Sequence, residues 1–431
     1  MEAESLAVHL SYFRGNASDF APIASSDTLE PLAIDLTYDV HSAVYVSVPF
    51  CRTKCSFCNF ASGVFSRDLF DRYIAHLERA IANAPTLAAE LGATFDPVLD
   101  SIYLGGGTPS VLAPDQLDRL FAAISRVFVT TEKTEFTVEV APGTLSDEVL
   151  AALLRARVNR VSLGVQSFVD QESRSVGRMH TRDIALRDIA RLRHAGIDEI
   201  SIDLIAGLPY QTSESWERSL DEVLSLAVPH VSVYMLEIDD DSRLGRELIA
   251  GGTRYHAHHV PGEELTIALY ERACERLNGS GVLQYEISNF ARPGHRSQHN
   301  LRYWRRLPYF GFGVDAHSML PAPVASEPHR AIRIATPDSL DLLLADAPSE
   351  RTTISTLQAV EEVYFLGLRM NCGIQLSAIA QQFGAAAVDF YRDVVADLVS
   401  RELLSLENGW LSLTARGRLL SNEVFTAFLR D

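Results

Sequence analysis

The chain has 431 residues, of which 47% are hydrophobic, and its 56 acidic against 38 basic side chains give a formal net charge of −18. This length predicts one large domain with smaller additions, and the apolar share excludes a disordered chain. The acidic balance predicts no nucleic-acid partner, because such a surface repels phosphate groups.

The amino-terminal stretch carries two early acids and has no apolar core of signal-peptide length. No run of about eighteen apolar residues occurs, so the sequence predicts no membrane span and leaves a peripheral membrane association open. We therefore predict a cytoplasmic protein. In that reducing compartment its five cysteines favour metal or thiolate chemistry over disulfides.

Six short apolar runs recur from residue 43 onward, separated by segments whose apolar residues repeat at intervals of three and four. The runs are AVYVSV, LDSIYL, FTVEV, RVSLGV, EISIDLI and HVSVYML. They predict parallel βα units over residues 43–240, forming either a doubly wound sheet or an incomplete barrel. Residues 1–42, rich in Ser and Ala, are predicted to form an irregular leader.

The βα rhythm stops near residue 240. Residues 241–345 are rich in aromatic and basic side chains and are predicted to extend the barrel. Residues 350–431 predict a small α+β domain, with two helices followed by a hairpin at Asn408-Gly409. This order is winged-helix-like, but a fold does not fix a function, and the acidic side chains of the tail disfavour DNA binding.

Three cysteines, Cys51, Cys55 and Cys58, follow the first predicted strand as C-x3-C-x2-C. A structural zinc site requires four ligands, and no fourth is nearby in the sequence. Chance clustering of buried cysteines is disfavoured by the polar residues between them. A [4Fe-4S] cluster fits better, since three thiolates leave one iron open to an exogenous ligand.

This motif, with Phe57 before the last cysteine, resembles the signature of radical S-adenosylmethionine (SAM) enzymes. The resemblance implies an incomplete (β/α)6 barrel, in which SAM chelates the open iron of the cluster. The cysteines directly follow the first predicted strand and Gly105-Gly106-Gly107 the second, so both loops fall on the rim at the carboxyl ends of the parallel strands.

Other predicted strands also end in groups suited to a polar ligand. Gly105-Gly106-Gly107-Thr108-Pro109 follows the second strand, and glycines there allow the backbone to approach a ligand closely. Polar residues end the next three strands, where each alone could be a simple cap. Their surroundings resemble the oxygen-independent coproporphyrinogen III oxidases. That resemblance implies a SAM site formed by Tyr45, Phe57, Gly106, Gly107, Thr108, Glu139, Gln166, Arg178 and Asp203.

Two departures distinguish the chain from those oxidases, which carry a fourth cysteine at the position of Phe60 and favour histidine at that of Ser47. A third feature is His299-Asn300-x-x-Tyr303-Trp304, which resembles the HNxxYW motif of the HemW heme chaperones. The resemblance implies heme binding by these four residues. An imidazole can bind iron axially, and the five arginines of residues 292–306 suit heme propionates. The alternative is a packed loop histidine beside two core aromatics.

The sequence thus predicts a heme chaperone that carries a [4Fe-4S] cluster and SAM and passes heme to an acceptor, such as a respiratory cytochrome. The main alternative is an enzyme, coproporphyrinogen III dehydrogenase, which decarboxylates propionate side chains oxidatively. Another radical SAM reaction on heme is a third interpretation. Whether SAM is cleaved, and whether the protein forms a homodimer, are questions that the sequence leaves open.

Overall fold

The computed structural model describes residues 41–239 and 242–430, so nearly all of the predicted leader lies outside the described residues. One sheet contains nine strands. They are β1 Ser42–Val48, β2 Val98–Gly106, β3 Val129–Val140, β4 Arg160–Gln166, β5 Glu199–Ala206, β6 His230–Met235, β7 Leu283–Gln284, β8 Asn289–Ala291 and β9 Phe310–Phe312.

The strand order of this sheet is β7-β8-β6-β5-β4-β3-β2-β1-β9, and β1 to β6 are parallel to their neighbours in chain order. A doubly wound sheet reverses its strand order partway, whereas successive neighbours are typical of a barrel. The added strand β9 is parallel to β1, and β8 is antiparallel to β6. The incomplete barrel is therefore the correct alternative.

Helices follow the strands as the βα rhythm predicts. Those within the barrel are α1 Arg67–Ala82, α2 Ala84–Glu90, α3 Pro114–Val127, α4 Asp147–Arg155, α5 Asp170–Ser175, α6 Arg182–His194 and α7 Ser213–Leu226. In α1 the side chains of Tyr73, Ile74, Leu77 and Ile81 are fully buried, which confirms the apolar periodicity. The strand β1 is almost wholly buried, as expected for a parallel strand covered on both faces.

The segment after β6 contains α8 Arg243–Ile249, α9 Glu263–Gly279 and α10 Gln298–Trp304. The Leu244 N–H of α8 donates to Ser56 O, in the loop after β1, at 2.8 Å, so α8 lies at the carboxyl ends of the strands. The segment then returns to their amino-terminal ends, where α10 lies. Midway along β3, the Glu135 carboxylate accepts hydrogen bonds from the first two backbone N–H groups of α10, at 3.0 Å each. A carboxylate at this helix end is favourable, and the contact fixes α10 across the base of the barrel.

A second sheet, β10 His317–Pro321, β11 Ala331–Ala335 and β12 Glu350–Ile354, is antiparallel. The third sheet has the order β13-β15-β14, with β13 Ile374–Gln375, β14 Leu404–Glu407 and β15 Trp410–Leu413. The remaining helices are α11 Leu340–Leu344, α12 Thr356–Gly367, α13 Leu376–Phe383, α14 Ala385–Phe390, α15 Arg392–Ser400, α16 Ala415–Leu419 and α17 Ser421–Thr426.

The hairpin predicted at Asn408-Gly409 joins β14 to β15, and both turn residues have positive φ, 53° and 81°. Such angles favour the Asn-Gly pair. The two-residue strand β13 is too short to show a sequence pattern. Although the domain limits 350–431 stay a prediction, the structure places Glu350–Ile354 in the second sheet. No helix of residues 41–239 and 242–430 is long and apolar enough to cross a membrane.

Candidate functional site

The three cysteines lie on a loop that leaves the carboxyl end of β1. Backbone hydrogen bonds hold this loop at both of its ends, from Cys51 N to Gly63 O at 2.8 Å and from Ser56 N to Val176 O at 3.0 Å. All three thiols are free and half-buried. Burial raises the pKa of the Cys51 and Cys55 thiols, so metal binding there would release protons.

The cysteine thiols face a cavity of about 360 Å³. Eight of the nine residues predicted to bind SAM line the same cavity, namely Phe57, Gly106, Gly107, Thr108, Glu139, Gln166, Arg178 and Asp203. The ninth, Tyr45, is on β1, and its ring centroid is 6.2 Å from that of Tyr103. The structure therefore brings the predicted cluster and SAM residues to one rim.

The donor set fits a cluster better than a single ion. Among the described residues, no three His, Cys, Asp or Glu side chains converge on one metal position, as a mononuclear zinc site requires. Close backbone approach is also present, since a Cβ on Gly106, whose φ is +95°, would lie 2.9 Å from Ser47 Oγ. A Cβ on Gly107 would lie 2.6 Å from Val48 O. Three thiols beside a glycine-lined cavity suit a [4Fe-4S] cluster that has one iron open to SAM.

Two carboxyl groups form another part of the cavity lining. Glu139 accepts a hydrogen bond from the Tyr103 hydroxyl at 2.8 Å, and Asp203 accepts hydrogen bonds from Ser162 Oγ at 3.0 and 3.1 Å. Burial raises the pKa of Asp203 and brings that of Glu139 to about 7. These carboxyl groups can pair with the hydroxyl and amine groups of a nucleoside ligand.

Gln166 has a left-handed backbone, with φ of 67°, beside a register shift between β4 and β5. A Cβ on Gly164 would lie 3.0 Å from the Arg178 Nη2 atom and 3.1 Å from Gln166 Nε2. A side chain at position 164 would therefore displace the ends of these two side chains by a few tenths of an ångström. Arg178 Nε is buried with no partner in the described structure. Strained backbone beside an unpartnered donor is typical of ligand sites.

Sequence reasoning missed three groups that line this cavity or support its carboxyl groups. Tyr103 and Ser162 position Glu139 and Asp203, and Tyr234 lines the cavity. All three are on strands where side chains alternate between two faces. That alternation was an available signal for Tyr103, because it lies two residues before Gly105 of the predicted glycine loop and so shares its face of β2.

The HNxxYW segment lies at the opposite end of the barrel. His299 is buried, with Nδ1 2.9 Å from Ser101 Oγ and Nε2 2.8 Å from the Tyr303 hydroxyl. Burial lowers the pKa of His299 to about 3, so its ring is neutral. With both ring nitrogens engaged, axial binding of iron by His299 requires a side-chain rearrangement, and that role stays a prediction.

Of the other motif residues, Trp304 joins the barrel to the carboxyl-terminal region, and Asn300 belongs to the first turn of α10. The Arg369 guanidinium lies 4.3 Å from the Trp304 ring centroid, a cation–π contact. The Asn300 backbone N–H donates to Ser297 Oγ at 3.3 Å. Two of the five arginines pair with carboxylates from other segments, Arg302 with Asp100 and Arg306 with Glu362. The segment therefore carries less free positive charge than its composition predicts.

The raised pKa of Glu139 predicts a pH-dependent stability. The Glu139 carboxyl group ionises near pH 4.5 in the unfolded chain and near pH 7 in the folded protein. The stabilisation that its protonated form gives to the folded state is therefore lost as the pH rises from 4.5 to 7. Between pH 4.5 and 7, the free energy of unfolding of the cofactor-free wild type should fall by about 2 kcal/mol more than that of the cofactor-free Glu139→Gln variant. Urea unfolding at several pH values measures this difference in the free energy of unfolding. The control is Glu132→Gln, because Glu132 is exposed on the same strand. Parallel pH profiles for wild type and Glu139→Gln would contradict it.

The radical SAM superfamily model matches residues 45–223, and the HemN C-terminal domain model matches residues 354–420. The heme chaperone HemW of Bacillus subtilis (strain 168) is 34% identical over 393 residues, covering 90% of this chain and 99% of the relative. The chain belongs to the HemW family of radical SAM proteins. The HemW of Lactococcus lactis subsp. lactis (strain IL1403) is also 34% identical, with 90% and 98% covered.

A further relative is the radical S-adenosyl methionine domain-containing protein 1, mitochondrial, of Bos taurus, 34% identical over 77% of this chain and 74% of the relative. Among solved structures, the coproporphyrinogen III oxidase (HemN) of Escherichia coli has a TM-score of 0.73 at 23% identity, with 92% of both chains covered. This likeness shows the shared fold. The predicted family and fold are confirmed, and membership of the radical SAM superfamily implies a [4Fe-4S] cluster and SAM.

Proposed function

We propose that this HemW-family protein is a cytoplasmic heme chaperone, which binds heme and transfers it to an acceptor protein such as a respiratory cytochrome. The observation that carries the proposal is the full-length similarity to the heme chaperone HemW of Bacillus subtilis, 34% identical over 99% of that relative. The HNxxYW segment, including His299, provides the proposed heme-binding region.

The cluster loop supports a chaperone more than an oxidase. Phe60 occupies the position where the oxidases carry a fourth cysteine, and 60% of its surface is exposed beside the cavity. In this proposal the three cysteines hold the cluster, and Glu139, Arg178 and Asp203 orient SAM. When bound, the cluster and SAM supply one-electron chemistry, and the half-buried cavity restricts the access of water.

The proposal separates the two cofactor regions. Ser101, the partner of His299, is near the amino-terminal end of β2 and pairs with Glu135 of β3. Gly106, which lines the cluster cavity, is at the carboxyl end of the same strand. At about 3.3 Å per residue, Ser101 lies on the order of 15 Å from Gly106 along β2. Between them, the Tyr103 ring centroid lies 5.1 Å from that of His299, and the Tyr103 hydroxyl donates to Glu139 of the cluster cavity. A chain of direct contacts therefore connects the proposed heme region to the cluster cavity.

Heme transfer and porphyrinogen turnover, measured on one preparation, test the proposal. The anaerobically reconstituted protein is loaded with heme and mixed with an apo-cytochrome, and transfer is followed by visible absorbance. The same preparation is incubated with coproporphyrinogen III, SAM and a reductant. We expect heme transfer without protoporphyrinogen IX formation. Turnover without transfer would favour the coproporphyrinogen III dehydrogenase alternative.

The His299→Ala variant tests the proposed axial ligand. If His299 leaves its partners Ser101 and Tyr303 to bind iron, the variant should show a shifted Soret band and at least about tenfold weaker heme binding. His295→Ala is the matched control, because this half-buried histidine pairs with Glu199 at the same end of the barrel. An unchanged Soret band in His299→Ala would remove His299 as the ligand.

A further inference from the structure

A second cavity lies beside α10, away from the cluster rim, between the second sheet and α12. Its volume is about 290 Å³, at the small end of the range for ligand pockets. It can admit a side chain and one edge of a large ligand but not a whole macrocycle. The lining residues that matter below are Tyr303, Arg306, His317, Arg333, Glu362 and Phe365.

Two guanidinium groups in this cavity share one carboxylate. Arg306 Nε and Arg333 Nη2 each lie 2.5 Å from a different oxygen of Glu362. The exposed side-chain fractions are 12% for Arg306, 23% for Arg333 and 5% for Glu362. One negative charge therefore faces two positive charges in a partly dehydrated space, where electrostatic interactions are strengthened.

Arg306 also has an unused donor. Its Nη2 atom is buried and has no hydrogen-bond partner among the described residues, and a buried donor without an acceptor is costly. The backbone of Arg306 is left-handed, with φ of 54°, as is common for the residue that ends a helix. The Leu307 N–H donates to Arg302 O at 2.9 Å across this turn, so the position of Arg306 at the cavity is fixed by the end of α10. The uncompensated charge and the free donor both suit an added carboxylate.

We propose that the Arg306–Arg333 cavity binds one propionate carboxylate of heme, with Phe365 contacting the edge of the ring. This inference rests on the proposed function, since it assigns a subsite to the same ligand. The cavity borders Tyr303 of the HNxxYW segment, so a heme anchored here would have its ring beside that motif. In the absence of heme, Glu362 occupies the two guanidinium groups and competes with the ligand carboxylate.

The experiment compares the binding of heme and of heme dimethyl ester, whose esterified propionates carry no charge. Wild-type protein should bind heme about tenfold more tightly than the diester, the equivalent of about one charge-assisted hydrogen bond. Arg333→Met should weaken heme binding about tenfold and abolish this discrimination. Arg351→Met is the control, because Arg351 is exposed on the neighbouring strand of the same sheet and should leave both affinities unchanged.

Glu362→Gln separates the proposed role from a merely structural one. Removing the competing carboxylate should tighten heme binding severalfold, whereas loss of a structural ion pair would weaken it. If Arg333→Met fails to fold, Arg333→Lys and the comparison of heme with its diester on wild type still test whether the cavity binds a propionate carboxylate. Equal wild-type affinity for heme and its diester would overturn the subsite and leave the chaperone proposal intact. Absence of heme binding by wild type would overturn both.

Discussion

Replacing Cys55 by serine is expected to remove nearly all cluster iron and sulfide from the reconstituted protein. Three thiolates are the full protein ligand set that the described structure offers beside this cavity, and a four-iron cluster held by only two would be lost. Iron should fall from about four atoms per chain to near zero. Iron and acid-labile sulfide analysis, with visible absorbance, measures the change.

The control for Cys55→Ser is Cys372→Ser. Cys372 is also half-buried and free, but it packs beside Trp304 at the opposite end of the barrel. The Cys372→Ser variant should therefore retain the full iron content. Circular dichroism shows whether each variant is folded. Full iron retention by folded Cys55→Ser, or iron loss by Cys372→Ser, would place the cluster elsewhere.

The Arg302→Met variant is expected to lower the free energy of unfolding by about 3 kcal/mol. The Arg302 side chain is 4% exposed and pairs with Asp100 at 2.6 Å. It also donates to the backbone oxygens of Pro308, at 3.0 Å, and of His41. Methionine fills a similar volume but leaves these acceptors without their donor. Because Asp100 remains 42% exposed to water, the effect should fall at the low end for a broken buried pair.

Urea unfolding measures this loss, and Arg392→Met is the matched control. Arg392 forms an exposed ion pair with Asp389, with 73% and 60% of the side chains accessible, and such pairs contribute about 0–1 kcal/mol. A loss below about 1 kcal/mol for Arg302→Met would show that α10 is held mainly by other contacts. The Glu135 carboxylate at its amino-terminal end would then be the next candidate.

Local sequence patterns predicted much of the fold and of the cluster rim. Six apolar runs predicted the parallel strands, because buried parallel strands contain little else, and the Asn408-Gly409 pair predicted its hairpin through its backbone angles. The cysteines and Glu139 directly follow or end strands, so parallel topology alone places them at one rim. The positive φ of Gln166 and its packing on Gly164 had no sequence signal that we recognised.

The sequence by itself thus determined the parallel βα units and the grouping of thiols, glycines and carboxyl groups at one end. These depend on local periodicity and on the fixed direction of parallel strands. Only the tertiary structure decided that His299 lies at the other end, bound to Ser101 from 198 residues away. It also decided that Glu362 neutralises part of the arginine cluster. Partners so distant are chosen by packing of the whole chain, because no local pattern records which end of a barrel a returning segment closes.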